Sequence, residues 1–215
     1  MKLRKKYVAL LAAAFLAVGG VFAGNDVLFQ LEKIFGLTPS SPPPTLVPAT
    51  GTIEVAFSPN NGVTTTVVKA LSEAQKTILV SAYSFTSKDI AEALLTAKKR
   101  GVEVNIILDK SQVSQKYSSS TFFSNQGFSL RIDIKHAIYH DKVMIIDGKT
   151  VITGSFNFTK AAETKNAENL LVLRDNPELA KLYTEDWWVN WQQAIPLDEF
   201  KTRYAAKLAK STKDE

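Results

Sequence analysis

The chain has no cysteine. That absence removes a disulfide scaffold, a thiolate-ligated zinc or iron–sulfur site and a thiol nucleophile. It leaves the redox compartment open, because a chain of this size needs no covalent staple. Histidine is nearly absent too: His136 and His140 are the two imidazoles in 215 residues. A sustained excess of charge is also missing. The net charge is +5, but Lys2, Arg4, Lys5 and Lys6 precede every acidic residue, and the 22 basic residues beyond them face 21 acidic ones. Bulk charge therefore gives no argument for a polyanionic partner. With 45% hydrophobic and 22% charged residues, the composition excludes collagen-like and wholly disordered chains, and the length suits one core with appendages.

The four leading cations are followed by an uncharged, mostly apolar run from Tyr7 to Ala23, with Val21 and Ala23 at the two positions a signal peptidase reads. Besides a buried helix, two readings stand, a secretory signal or an uncleaved anchor, since a helix of this length spans roughly 25 Å against a hydrocarbon core of about 30 Å. Either one takes the body out of the cytoplasm, to the periplasm or medium, or tethers it to a membrane. Residues 24–50 read as a short helix and a linker. Leu28, Leu31, Ile34 and Phe35 share one helix face, and Pro39, Pro42, Pro43, Pro44 and Pro48 then favour an extended spacer.

The folded domain is expected over 51–195, followed by a charged C-terminal tail over 196–215. Apolar β-rich runs alternate with helical periods: Ile53–Phe57, Val63–Gln75, Thr77–Ser84, Lys88–Arg100 and Val102–Leu108. This βαβαβ order, with the unbroken apolar runs Ile78-Leu79-Val80 and Ile106-Ile107-Leu108, predicts an α/β fold with a mixed, largely parallel sheet flanked by helices on both faces. Phe128–Ile134, Lys142–Ile146, Thr150–Gly154 and Asn169–Leu173 read as further strands, and Pro177–Gln193 as an amphipathic helix.

The chemistry concentrates in residues 140–158, HDKVMIIDGKTVITGSFNF. On a strand, His140 and Lys142 share a face. Asp147-Gly148 between two β-rich runs signals a hairpin whose type I′ turn needs positive φ at both positions. A turn at Asp147-Gly148 sets His140 opposite Ser155 and Lys142 opposite Thr153, with Asn157 on the same face; a turn at Gly148-Lys149 pairs His140 with Asn157 and Lys142 with Ser155. Both registers build one polar cluster, whereas a three-residue loop without a bulge would separate the groups. An imidazole, a fixed cation, a hydroxyl and an amide suit an anionic, oxygen-rich group such as a phosphodiester. A lysine where a second metal ligand would be needed argues against a metal cage, so no cofactor and no metal are expected.

His-x-Lys-x4-Asp followed by Gly-Ser-x-Asn resembles the signature of the phospholipase D superfamily, and in particular its small bacterial, metal-independent, EDTA-resistant endonucleases with a single motif. The likeness extends over roughly Thr52 to Trp191, including Phe57-Ser58-Pro59, Ala82-Tyr83-Ser84-Phe85-Thr86, Ala97–Val102, Phe158–Asn166 and Glu168-Asn169. The resemblance implies a phospholipase D-like fold and a two-step transfer in which His140 attacks phosphorus and water resolves the phosphohistidine. It further implies that Lys142 and Asn157 hold the non-bridging oxygens, that Ser155 supplies a nearby hydroxyl, and that Glu168 accepts from an imidazole nitrogen. Two histidines are needed, one to attack and one to protonate the leaving oxygen, so a chain with one motif is implied to act as a homodimer with both His140 side chains at the two-fold axis. Asp147, of opposite strand parity, takes a turn role. His136 lies outside the motif and reads as incidental. Lys160 and Lys165 suit either backbone contact or simple solvation, and Trp187, Trp188 and Trp191 read as helix packing. The expected function is cleavage of DNA or RNA with little sequence preference. The alternatives are a phospholipase D-type hydrolase of phospholipids and a non-catalytic nucleic-acid-binding module.

Overall fold

The computed structural model describes residues 41–113 and 119–211, with the side chains of the last helix followed to Tyr204. The signal or anchor expected over 1–23 and the helix expected over 25–36 lie outside the described residues. The chain separates into two units, Met1–Pro43 and Pro44–Glu215. The second carries β1 (Thr52–Ser58), α1 (Val63–Ser72), β2 (Thr77–Ala82), α2 (Lys88–Lys99), β3 (Glu103–Asp109), a 3₁₀ turn (Lys110–Val113), α3 (Ser120–Asn125) and β4 (Ser129–Asp133). It continues through β5 (Lys142–Ile146), β6 (Thr150–Gly154), α4 (Lys160–Thr164), β7 (Glu168–Arg174), α5 (Pro177–Gln193), β8 (Ile195–Pro196) and α6 (Leu197–Ser211). Among the described residues no helix is long and apolar enough to cross a membrane.

The eight strands form one mixed sheet in the order β1-β7-β6-β5-β2-β3-β4-β8. Among the described strands, β2–β3 and β3–β4 pair in parallel and the other five pairings are antiparallel. This corrects the expectation of a largely parallel sheet, and the reason lies in the later strands. β1, β2, β3 and β4 do point the same way, as a βαβαβ order requires. Yet β5 and β6 join through a tight hairpin, β7 returns antiparallel beside β6 after the connection that carries α4, and the three insert together between β1 and β2.

Both faces of the sheet are covered. On one, α1 and α2 set Val63, Val67, Leu71, Ile90 and Leu94 against Ile78, Val80, Ile106, Leu108, Met144 and Ile152. On the other, α5 lays Ala180 and Trp187 over Leu79, Ile107, Ile145 and Val151. Each such large apolar side chain contributes about 1.5–3 kcal/mol when fully buried. The Trp187 indole N–H also donates to the Val80 carbonyl at 3.1 Å, so this polar edge is not left unpaired. Trp188 and Trp191 pack on Trp187, and the Arg131 guanidinium lies over Trp191. α5 begins where a helix with Asn176 and Pro177 should, the Asn176 side chain accepting from the Leu179 N–H.

The body continues past residue 195. Ile195 and Pro196 pair with β4, and Leu197 and Phe200 are buried in the core, so α6 starts inside the body. At the other end, the exposed linker is held where Asn176 Nδ2 donates to the Pro48 carbonyl at 2.9 Å. The loop after β1 is pinned by a distant carboxylate: Glu163 of α4 accepts from the Gly62 and Thr64 N–H groups, capping α1 from outside its own segment. These directions bring the C-terminal ends of β1, β2 and β6 and the N-terminal ends of β5 and β7 to one end of the sheet, where the motif residues lie.

Candidate active site

The β5–β6 hairpin differs from both expected registers. Asp147 and Gly148 have φ of 52° and 62°, and Lys149 N–H donates to the Ile146 carbonyl at 3.1 Å, the contact of a four-residue turn. Lys149 adds one residue to the loop, so that Ile146 pairs with Thr150 and Met144 with Ile152. Strict alternation from that register would turn Ser155 away from Lys142. A bulge follows: Ser155 and Phe156 N–H both donate to the Asn169 carbonyl, at 3.1 and 3.3 Å, two residues facing one. Gly154 permits it. Its φ is +149° and a Cβ there would stand 2.3 Å from the Asn169 oxygen.

Asp147 lies at the opposite end of β5. Its carboxylate accepts from the N–H groups of Gln75, Lys76 and Thr77 at 2.9, 2.8 and 3.0 Å, which staples the hairpin to the start of β2. Burial raises its pKa, but these three donors and Lys149 outweigh that and leave it below the ordinary carboxylate value.

At the motif end, His140 is exposed while Lys142 is only 7% exposed. Lys142 Nζ donates to the His140 carbonyl at 2.6 Å, which ties the ammonium to the His140 backbone. Burial pushes the Lys142 pKa down, and the charges of Asp141 and Glu168 partly restore it. Across the bulge, Ser155 Oγ donates to Glu168 Oε2 at 2.6 Å and accepts from the Asn169 N–H and Nδ2 at 3.1 and 3.2 Å. The other carboxylate oxygen accepts from Asn166 Nδ2 at 3.1 Å. The structure thus brings His140 to Lys142 and Ser155 to Glu168, with the Lys142–Glu168 attraction linking the pairs. Among the described residues no hydrogen bond joins the His140 ring to Glu168. Asn157 makes no side-chain bond to the other four, its Oδ1 being buried and without a partner among the described residues. Lys160 and Lys165 are exposed beyond it.

One neighbour carries no role in the motif itself. Tyr83, directly after β2, donates its N–H to the Asp141 carbonyl at 2.9 Å. Its ring lies 4.8 Å from the His140 ring and 5.3 Å from Lys142 Nζ. His136 is held elsewhere, its Nδ1 3.0 Å from Asp133 Oδ1 at the end of β4. Among the described residues no three His, Asp or Glu side chains converge into a set that could hold a metal ion.

A family model described as "Cardiolipin synthase, PLD-like domain" matches residues 67–191. The chain belongs to the phospholipase D superfamily. It is a phosphodiesterase of that superfamily, with its mixed α/β fold. A protein named "Phospholipase D" from Rickettsia bellii is 35% identical over 190 residues, which cover 85% of this chain and 94% of that one. One of the same name from Rickettsia typhi is 40% identical over 136 residues, 63% of this chain and 66% of its own. Among solved structures, the phospholipase D family member Nuc from Salmonella typhimurium is 43% identical with a TM-score of 0.65, covering 67% of this chain and 97% of Nuc. Superfamily membership covers the motif and both of its strands, and leaves the substrate to be argued from the site.

Proposed function

We propose that this phosphodiesterase is a metal-independent, non-specific endonuclease acting on DNA or RNA through a phosphohistidine. The observation that carries the reading is the exposed His140 imidazole beside the buried Lys142, whose ammonium donates to the His140 carbonyl and faces the same Tyr83 ring as the imidazole. The nitrogen lone pair attacks phosphorus, a P–N bond forms and the bond to one ester oxygen breaks, and that oxygen leaves with a proton from a second imidazole. Water then attacks the phosphohistidine, the first imidazole leaves, and the second takes the water's proton. Lys142, withdrawn from bulk water, neutralises the non-bridging oxygens more strongly than a solvated lysine would, the task otherwise given to a divalent ion. Asn157 supplies an amide donor at the same rim, and Glu168 with Ser155 a fixed acceptor.

One motif supplies one imidazole, so the proposal includes a homodimer whose two His140 rings share a site. An apolar stripe supports it. Ile53, Val55 and Phe57 are more than half exposed along one side of edge strand β1, and Phe57 pairs with Asn169, which holds Ser155. A second copy seated there lies against the site itself. Export, by a cleaved leader or with a membrane tether, belongs to the same proposal and rests on residues 1–23.

The resemblance of the single His-x-Lys-x4-Asp motif to the small bacterial endonucleases of the superfamily favours a nucleic-acid substrate; the names of the Rickettsia relatives favour a phospholipid. The chain in excess EDTA, given plasmid DNA in one reaction and phosphatidylcholine vesicles in another, separates them. We expect nicked and linear DNA, less of it as salt rises because only backbone contacts hold the substrate, and none from His140→Ala. Cleavage of lipid alone would establish the second reading. Activity that EDTA abolishes and magnesium restores would overturn the mechanism.

A further inference from the structure

We infer that Tyr83 is a positioning residue for this site, its aromatic ring orienting the His140 imidazole and flanking the Lys142 ammonium while its hydroxyl takes no part in the chemistry. The inference rests on the reading of His140 as nucleophile, and its grounds are geometric. His140 is exposed, and among the described residues no side chain hydrogen-bonds its ring; the Tyr83 ring, 4.8 Å away and tilted by 52°, is the contact that limits its rotation. The same ring lies 5.3 Å from Lys142 Nζ, so a π face stands where burial has removed water from the cation. Tyr83 itself cannot drift. Its N–H bond to the Asp141 carbonyl at 2.9 Å extends the β2–β5 pairing by one residue beyond Ala82 and Lys142. One ring anchored in the sheet thus touches the attacking group and the charge that receives the phosphate. Losing it frees the imidazole to leave the line of attack, and displacements of that kind cost up to about 10²-fold in rate.

The full-length chain is compared with Tyr83→Phe, Tyr83→Leu and His140→Ala in EDTA, using bis(p-nitrophenyl) phosphate as probe. Nuclear magnetic resonance reads the His140 ring protons, assigned by their loss in His140→Ala. Tyr83→Phe should keep the ring-current displacement of those protons and turn over within about twofold of the parent. Tyr83→Leu should lose the displacement and lower kcat by about 10- to 100-fold with KM within about threefold, because a positioning group acts on the step and not on ground-state affinity. Tyr83→Met, long but ringless, replaces Tyr83→Leu if that variant does not fold. Full turnover by a folded ringless variant would overturn the inference. So would equal losses in Tyr83→Phe and Tyr83→Leu, which would assign the work to the hydroxyl, or a raised KM at unchanged kcat. A parent chain that cleaves the probe without forming a phosphohistidine would sink the nucleophile reading instead; the ring-proton shift then decides the placement of His140 by Tyr83 on its own.

Discussion

Asp141 stands between the two groups that the motif names, and its surroundings set both a stability and an activity. Its carboxyl is pushed above the ordinary value, first by burial and then by Asp186 of α5; a hydrogen bond from Tyr139 and the charges of Lys142 and His136 oppose this without cancelling it. A folded-state pKa above the unfolded one means that the folded chain binds its proton more tightly. The resulting stabilisation is present below the unfolded pKa and is lost as pH rises through the folded one, so at neutral pH the ionised carboxylate weighs against the fold. Asp141→Asn should therefore melt higher than the parent at pH 7, with the difference closing in acid. The same substitution removes a charge that supports Lys142, whose pKa burial already lowers. The alkaline limb of kcat/KM, where the ammonium is lost, should move to lower pH. A thermal scan and a pH–rate profile check the two halves, and a lower melting temperature at pH 7 together with an unmoved limb would contradict both.

At the scale of elements, the hairpin shows what local sequence settles and what it leaves open. The strands Lys142–Ile146 and Thr150–Gly154 and the helix Pro177–Gln193 have the bounds that periodicity predicts, because hydrophobic alternation, Asp-Gly turn chemistry and an Asn-Pro start are all local. The register depends on whether Lys149 belongs to the loop or the strand, and local propensity does not separate those cases. The bulge that rephases Ser155 needs Asn169, a residue of β7, and so is visible only once the strands are paired. The neighbourhood of Tyr83 and the insertion of β5–β7 between β1 and β2 are likewise products of non-local pairing. Gly154 is where the bulge is most exposed to test. In Gly154→Ala the added methyl meets the Asn169 carbonyl at 2.3 Å and must displace backbone, so we expect a loss of about 2–3 kcal/mol, the scale of an overpacked site. Turnover should fall further, by about 10²-fold, since Ser155 and Glu168 move with the strand. Denaturant titration and kcat together check this, and a loss confined to stability would mean that the bulge does not hold the site.

For the whole molecule, the decisive quantity is the number of imidazoles at one phosphorus. A single chain offers an exposed His140, and His136 is engaged with Asp133 at the end of β4. Edge strand β1, meanwhile, presents Ile53, Val55 and Phe57 at 56%, 52% and 57% exposure. An apolar strand left open at a sheet edge invites uncontrolled pairing, so it is normally covered. A stable dimer buries about 1,200–2,000 Å² in total, more than three side chains provide, so a second copy must also cover surface beyond this stripe. If a second copy covers this surface, Val55→Lys combined with Phe57→Glu should convert the dimer to a monomer in sedimentation. It should also abolish cleavage, although none of His140, Lys142, Ser155, Asn157 and Glu168 has been altered. Monomers that still cleave at the parental rate would show that one imidazole suffices, and a dimer that survives the double substitution would place the shared surface elsewhere. Loss of activity in step with loss of the dimer, in a chain whose circular dichroism is unchanged, would tie the chemistry to the paired state.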